Sequence, residues 1–143
     1  MNLESLPWWG FALLSALFAA LTTILVKLGV EQVSSTLATA IRTIVVLVMA
    51  WLIVAARGEF SALSGLSART WVLLGLSGIA TGLSWLAYFR ALQVGPTSYV
   101  AAIDKSSIVL IAVLAWIFLH EPIDLRGALG IGLIAAGTLV LIR

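Results

Sequence analysis

Residues 37–56 read LATAIRTIVVLVMAWLIVAA, twenty positions with one charged side chain, Arg42. An α-helix of that length is about 30 Å long at 1.5 Å per residue, the thickness of a bilayer's hydrocarbon core. Four further charge-poor runs lie on either side, at 8–26, 71–89, 99–119 and 123–142. Each matches the ~20 residues a spanning helix needs. The last is the least clean, because Asp124 and Arg126 fall in its first turn.

Composition supports the same reading. Of 143 residues, 62% are hydrophobic and only 10% charged, against about 25% charged in a typical soluble domain. A soluble chain of this size could not cover so much apolar surface. The expected fold is therefore an all-α integral membrane protein, a bundle of about five transmembrane helices (8–26, 37–56, 71–89, 99–119, 123–142). Residues 1–143 form a single transmembrane domain in this reading. The segment 1–7 carries Glu4 and no Lys or Arg, unlike the basic start of a signal peptide, so the first run reads as a retained helix.

Local punctuation agrees. Pro7, Pro96 and Pro122 each precede a hydrophobic run, where a missing N–H does no harm. The segment 58–70 is rich in Ser and Gly and reads as a flexible loop. All six tryptophans fall near expected helix ends, as an interfacial aromatic belt requires. Small residues mark places for close helix approach. Gly78 and Gly82 stand at GxxxG spacing in the third span, Ala128, Gly132 and Ala136 form a stripe on the fifth, and Ala12, Ala16 and Ala20 one on the first. These predict helix packing within one chain or a dimer contact.

Several function classes are excluded or disfavoured. A net charge of +2 with no basic run argues against nucleic acid. With no cysteine and one histidine, His120, no metal site or cofactor is expected. No nucleophile–base set or phosphate loop is present, which disfavours an enzyme.

Five spans put the termini on opposite sides, here A for the N-terminal side and B for the other. Arg57, Arg69 and Arg126 belong to side A, and Lys27, Arg90 and Arg143 to side B. That tie gives no positive-inside bias. Insertion in both orientations, giving an antiparallel pair, and a fixed orientation set by partner helices or insertion machinery both remain open.

Ionisable groups inside a span are costly and face protein or a water-filled cavity. Arg42 in the second span and Asp104 and Lys105 in the fourth qualify, each roughly 8 Å below side B. Thr36, Thr39, Arg42 and Thr43 share one helix face, whereas Asp104, Lys105, Ser106 and Ser107 run consecutively around the axis. Asp104 is too short to snorkel; Arg42 and Lys105 are not. Two readings follow: a buried Arg42–Asp104 pair that fixes helix packing, or a translocation path for a solute lined by Asp104, Arg42, Lys105, Thr39, Thr43 and Ser107. Neighbouring cations oppose a raised Asp104 pKa and hence proton coupling. His120 and Glu121 read as a cap or anchor for the side A end of the fourth span. Gln93 and Tyr99 flank the side B turn, within reach of a cavity mouth.

Residues 88–122 carry a family resemblance. Arg90-Ala91-Leu92, Gly95-Pro96, Ile103-Asp104-Lys105-Ser106 and Phe118-Leu119-His120-Glu121-Pro122 resemble the EamA domain of the drug/metabolite transporter superfamily. The likeness in helix count covers nearly the whole chain. Such proteins usually hold two five-helix repeats in opposite orientation around a path for small organic solutes, and this chain resembles one repeat. The family pattern ends its fourth helix with Gly-Glu, where this chain has His120-Glu121. Related small multidrug resistance proteins carry an essential acid in their first helix, and the first span here has none.

The resemblance implies a transporter of a small-molecule solute, a metabolite or drug, in a prokaryotic cell (inner) membrane. It would work as a homodimer of five-helix units, antiparallel or not, or with a paralogous partner. The alternative is a non-transporting membrane subunit that binds and stabilises a partner membrane protein.

Overall fold

The computed structural model describes residues 7–142; Glu4 and Arg143, used in the charge arguments above, lie outside them. Most of the described residues are helical, with no strand among them. Five helical stretches are long and apolar enough to cross a membrane: Trp8–Gly29, Ser35–Ala56, Ala68–Val94, Thr97–Leu119 and Leu125–Ile142.

The helix ends differ from the hydropathy limits for identifiable reasons. α1 (Trp8–Gly29) runs past Val26 because Lys27 finds an acceptor, described below. α2 (Ser35–Ala56) starts early because the Ser34 hydroxyl caps it, accepting from Leu37 N–H at 3.2 Å. α3 (Ala68–Val94) continues five residues beyond Phe89. Arg90, Ala91, Leu92 and Gln93 end the hydrophobic run but are helix formers, and only Gly95-Pro96 stops the helix.

The fourth span is not one regular helix. It consists of α4 (Thr97–Asp104), α5 (Ser107–Leu114) and a π-helical turn, Ala115–Leu119. At the break, Lys105 N–H donates to Ala102 C=O at 3.1 Å and Ser106 N–H to Ile103 C=O at 2.9 Å. Ile108 and Val109 N–H donate to Lys105 and Ser106 C=O at 3.1 Å each. This is the i→i+3 spacing of a 3₁₀ turn. Asp and Ser side chains compete with the helical backbone for hydrogen bonds, and three of them cluster at Asp104, Ser106 and Ser107.

α6 (Leu125–Ile142) begins after Asp124, whose carboxylate accepts from Gly127 N–H at 2.8 Å, as an N-cap does. The Ser- and Gly-rich segment expected as a flexible loop holds a 3₁₀ helix, Glu59–Gly65. Phe60 stacks on Trp51 of α2, with ring centroids 5.8 Å apart and planes 8° from parallel. Arg57 and Glu59 pair at 3.4 Å.

The chain divides into two compact units, Met1–Gln93 and Val94–Arg143. In the first, the α1–α3 seam is held by a repeated register. Thr23 and Tyr88 hydroxyls are 2.9 Å apart, and the Lys27 ammonium donates to Leu92 C=O at 2.6 Å. Both pairs are separated by 65 positions. A constant offset over one helical turn means that α1 and α3 run parallel, so α2 returns between them. Gln93 closes the end of this seam, donating to Val30 C=O at 3.2 Å and Val33 C=O at 2.6 Å. Val30, Phe89 and Leu92 are buried beside these bonds.

In the second unit, α6 packs against α4 and α5. Its covered face is Gly127, Ile131, Ala135 and Thr138, at helical spacing. Thr138 is buried, its hydroxyl bonding to Ile134 C=O at 2.9 Å and approaching Ala102 C=O at 3.4 Å. At the far end, His120 adopts φ 55°, ψ 29°, and Glu121 N–H closes the π-turn on Ala115 C=O at 3.3 Å. This is the left-handed position that closes many helices and favours glycine. His120 holds this position because His is among the side chains that tolerate it.

Candidate functional site

Arg42 is the eighth residue of α2, about 10 Å from its start at 1.5 Å per residue. Its guanidinium carbon lies 4.1 Å from the centroid of the Trp85 ring and 5.6 Å from that of Phe89. Both rings belong to α3, four residues apart and therefore on one face. With α3 ending at Val94 rather than Phe89, Trp85 stands nine residues from the helix end, and its ring carries the Arg42 guanidinium.

The threonines flanking Arg42 are occupied locally. Thr39 is buried and donates to Ser35 C=O at 2.8 Å, and Thr43 donates to Thr39 C=O at 2.8 Å. The polar face of α2 is thus satisfied by its own backbone at both threonines. Among the described residues of its unit, Arg42 makes no ion pair or hydrogen bond.

Asp104 and Lys105 occupy the α4–α5 break. Their charged groups are 3.4 Å apart and both residues are exposed. Ser107 is the first residue of α5. The 3₁₀ geometry replaces the regular helical fan expected for these four polar side chains. Arg42 belongs to the first unit and Asp104 to the second.

Within their own units, the glycines of two small-residue stripes have open space beside them. A Cβ built at Gly78, Gly82 or Gly132 would have no atom within 4 Å. Ala128 and Ala136 are exposed, on a face beside the covered one of α6. Gln93, expected near a cavity mouth, donates its side-chain amide to the backbone of the α1–α2 turn.

Sequence reasoning missed the Thr23–Tyr88 and Lys27–Leu92 contacts. A signal existed: Thr23 and Lys27, like Tyr88 and Leu92, are spaced i, i+4 and share a helix face. Among the described residues, no group of three or more acidic or histidine side chains could hold a metal ion. A groove on the second unit is lined by Ile108, Ile111, Glu121, Asp124 and Ile131, with Asp124 engaged in capping α6.

Comparison with known proteins adds the family. Residues 6–143 match the EamA-like transporter family. A protein of Sinorhizobium sp, described as an "Uncharacterized transporter in cobO 3'region", is 51% identical over 137 residues, covering 96% of this chain and 97% of that protein. No solved structure matches the chain significantly. The five apolar spans, the chain-wide match and this relative together establish that the chain belongs to the EamA-like transporter family.

Proposed function

We propose that this multi-pass membrane transporter moves a small organic solute, a metabolite or drug, across a prokaryotic inner membrane as a dimer. Each chain supplies one five-helix repeat as a single domain. The observation that carries the reading is Arg42, a cation about 10 Å inside a spanning helix with aromatic rings against it. Such a group belongs beside protein or a water-filled path, because lipid does not solvate it. Asp104, Lys105, Ser107, Thr39 and Thr43 complete the proposed path.

The dimer follows from wall area. A polar path must be enclosed by protein on every side, and five helices supply little wall beyond their own packing. The exposed Ala128–Gly132–Ala136 face and the open surface at Gly78 and Gly82 suit close approach by a second copy. An antiparallel arrangement accords with the equal cation count on the two sides.

The test is solute flux into liposomes across amines, amino acids and sugars, with and without a pH gradient, together with crosslinking. Gly132→Leu is expected to weaken self-association and flux together. Flux from chains that remain monomeric contradicts the dimer. Reporter fusions at the C-terminus give signal from both membrane faces if the chain inserts both ways, and from one face otherwise.

A further inference from the structure

We propose that Arg42 is the recognition site for a carboxylate-bearing solute, gripped edge-on by a guanidinium whose face rests on Trp85. This inference rests on the transporter reading and adds the chemical class of the solute.

The geometry of guanidinium recognition divides cleanly between face and edge. Stacking uses the π-face, whereas all five N–H donors point outward in the plane. With its guanidinium carbon 4.1 Å from the Trp85 centroid, Arg42 lies too close for an N–H to point at the ring, so it is the face that is engaged. Among the described residues of its unit, no acceptor receives its N–H groups. Thr39 and Thr43, the nearest hydroxyls on its own helix, donate to α2 carbonyls. The edge is therefore a fork of donors held by aromatic packing, suited to bidentate contact with a planar carboxylate.

Charge arithmetic within the spans points the same way. The charges seven or more residues from both ends of a spanning helix are Arg42, Asp104 and Lys105. Asp104 has Lys105 at 3.4 Å as its own counter-ion. Setting that pair aside leaves one positive charge, on Arg42. An uncompensated cation in a span is costly, and an anionic solute relieves that cost at the moment it binds. An organic cation would raise it.

The experiment uses the full chain in mild detergent, with matched pools of short aliphatic carboxylates, amines and amides as probes. Tryptophan fluorescence reports binding, and liposomes from the same preparation report flux. Carboxylates are expected to bind about tenfold to hundredfold more tightly than the matched amides, the range of a charge-assisted hydrogen bond. Arg42→Gln removes that preference, whereas Arg42→Lys, which keeps the charge but not the fork, retains a weaker one. Thermal unfolding of each variant confirms a folded chain. Preferential binding of amines or amides overturns the inference, as does carboxylate binding that survives Arg42→Gln, or no binding by any pool. Flux of amines alone overturns the inference and leaves the transporter reading standing. Arg42-dependent carboxylate binding without flux of any pool does the reverse.

Discussion

Replacing Lys27 with methionine removes an ammonium and keeps most of its aliphatic stem. That ammonium donates to Leu92 C=O at 2.6 Å. Leu92 is near the end of α3, where the last four carbonyls have no partner inside the helix. Hydrogen bonds to charged groups contribute about 1.5–3 kcal/mol in soluble proteins, but interhelical hydrogen bonds in membranes average about 0.6 and reach about 1.7 kcal/mol. The membrane scale applies to a bond between spanning helices. Lys27 also stands in the last turn of α1, where a cation adds about 0.3–1 kcal/mol against the helix dipole. The expected loss is therefore about 1–2.5 kcal/mol. Unfolding in mixed micelles with rising dodecyl sulfate, followed by circular dichroism, measures it. Tyr88→Phe sets an internal scale: Thr23 keeps its bond to Ala19 C=O at 2.9 Å, so this change costs about 0.6 kcal/mol or less. The reasoning is refuted if Lys27→Met unfolds with the native chain, or if Tyr88→Phe costs more than Lys27→Met.

Three other outcomes are expected. Gln93→Leu deprives the Val30 and Val33 carbonyls of their shared donor and lowers stability by about 1–2 kcal/mol, with faster proteolysis at the α1–α2 turn as the second readout. A double-mutant cycle of Arg42→Gln and Trp85→Leu gives a coupling of about 0.5–2 kcal/mol if the cation rests on the indole, and additive effects if it does not. His120→Gly raises the unfolding free energy by about 1 kcal/mol, because glycine adopts the left-handed conformation without the Cβ clash; His120→Ala brings no such gain.

The five spans were legible because charge gaps record where lipid begins and ends. Helix ends were less legible, because hydrogen bonding does not stop at the lipid boundary. α3 shows this, continuing through Arg90 and Gln93 to Val94. Trp85 was legible by its spacing as an interfacial aromatic, but its contact with Arg42 was not. The depth of Arg42 was readable from residue count, but its neighbour depends on how α2 and α3 pack. The polar cluster at Asp104–Ser107 was visible as composition; its conversion of a helix into two pieces joined by 3₁₀ bonds was not. Glycine spacing marks where helices are permitted to approach, and within their own units Gly78, Gly82 and Gly132 leave that approach open.

The central claim is transport by paired chains, and flux per chain over a protein-to-lipid dilution series tests it most directly. Purified chain is reconstituted at falling density, and entry of a mixed pool of amines, amino acids, sugars and carboxylates is followed. The account predicts solute entry above protein-free liposomes at high density, with flux per chain falling as dilution separates the pairs. Flux per chain that stays constant to the most dilute sample, where crosslinking finds only monomers, contradicts the paired mechanism. Entry no faster than in protein-free liposomes at every density contradicts transport itself.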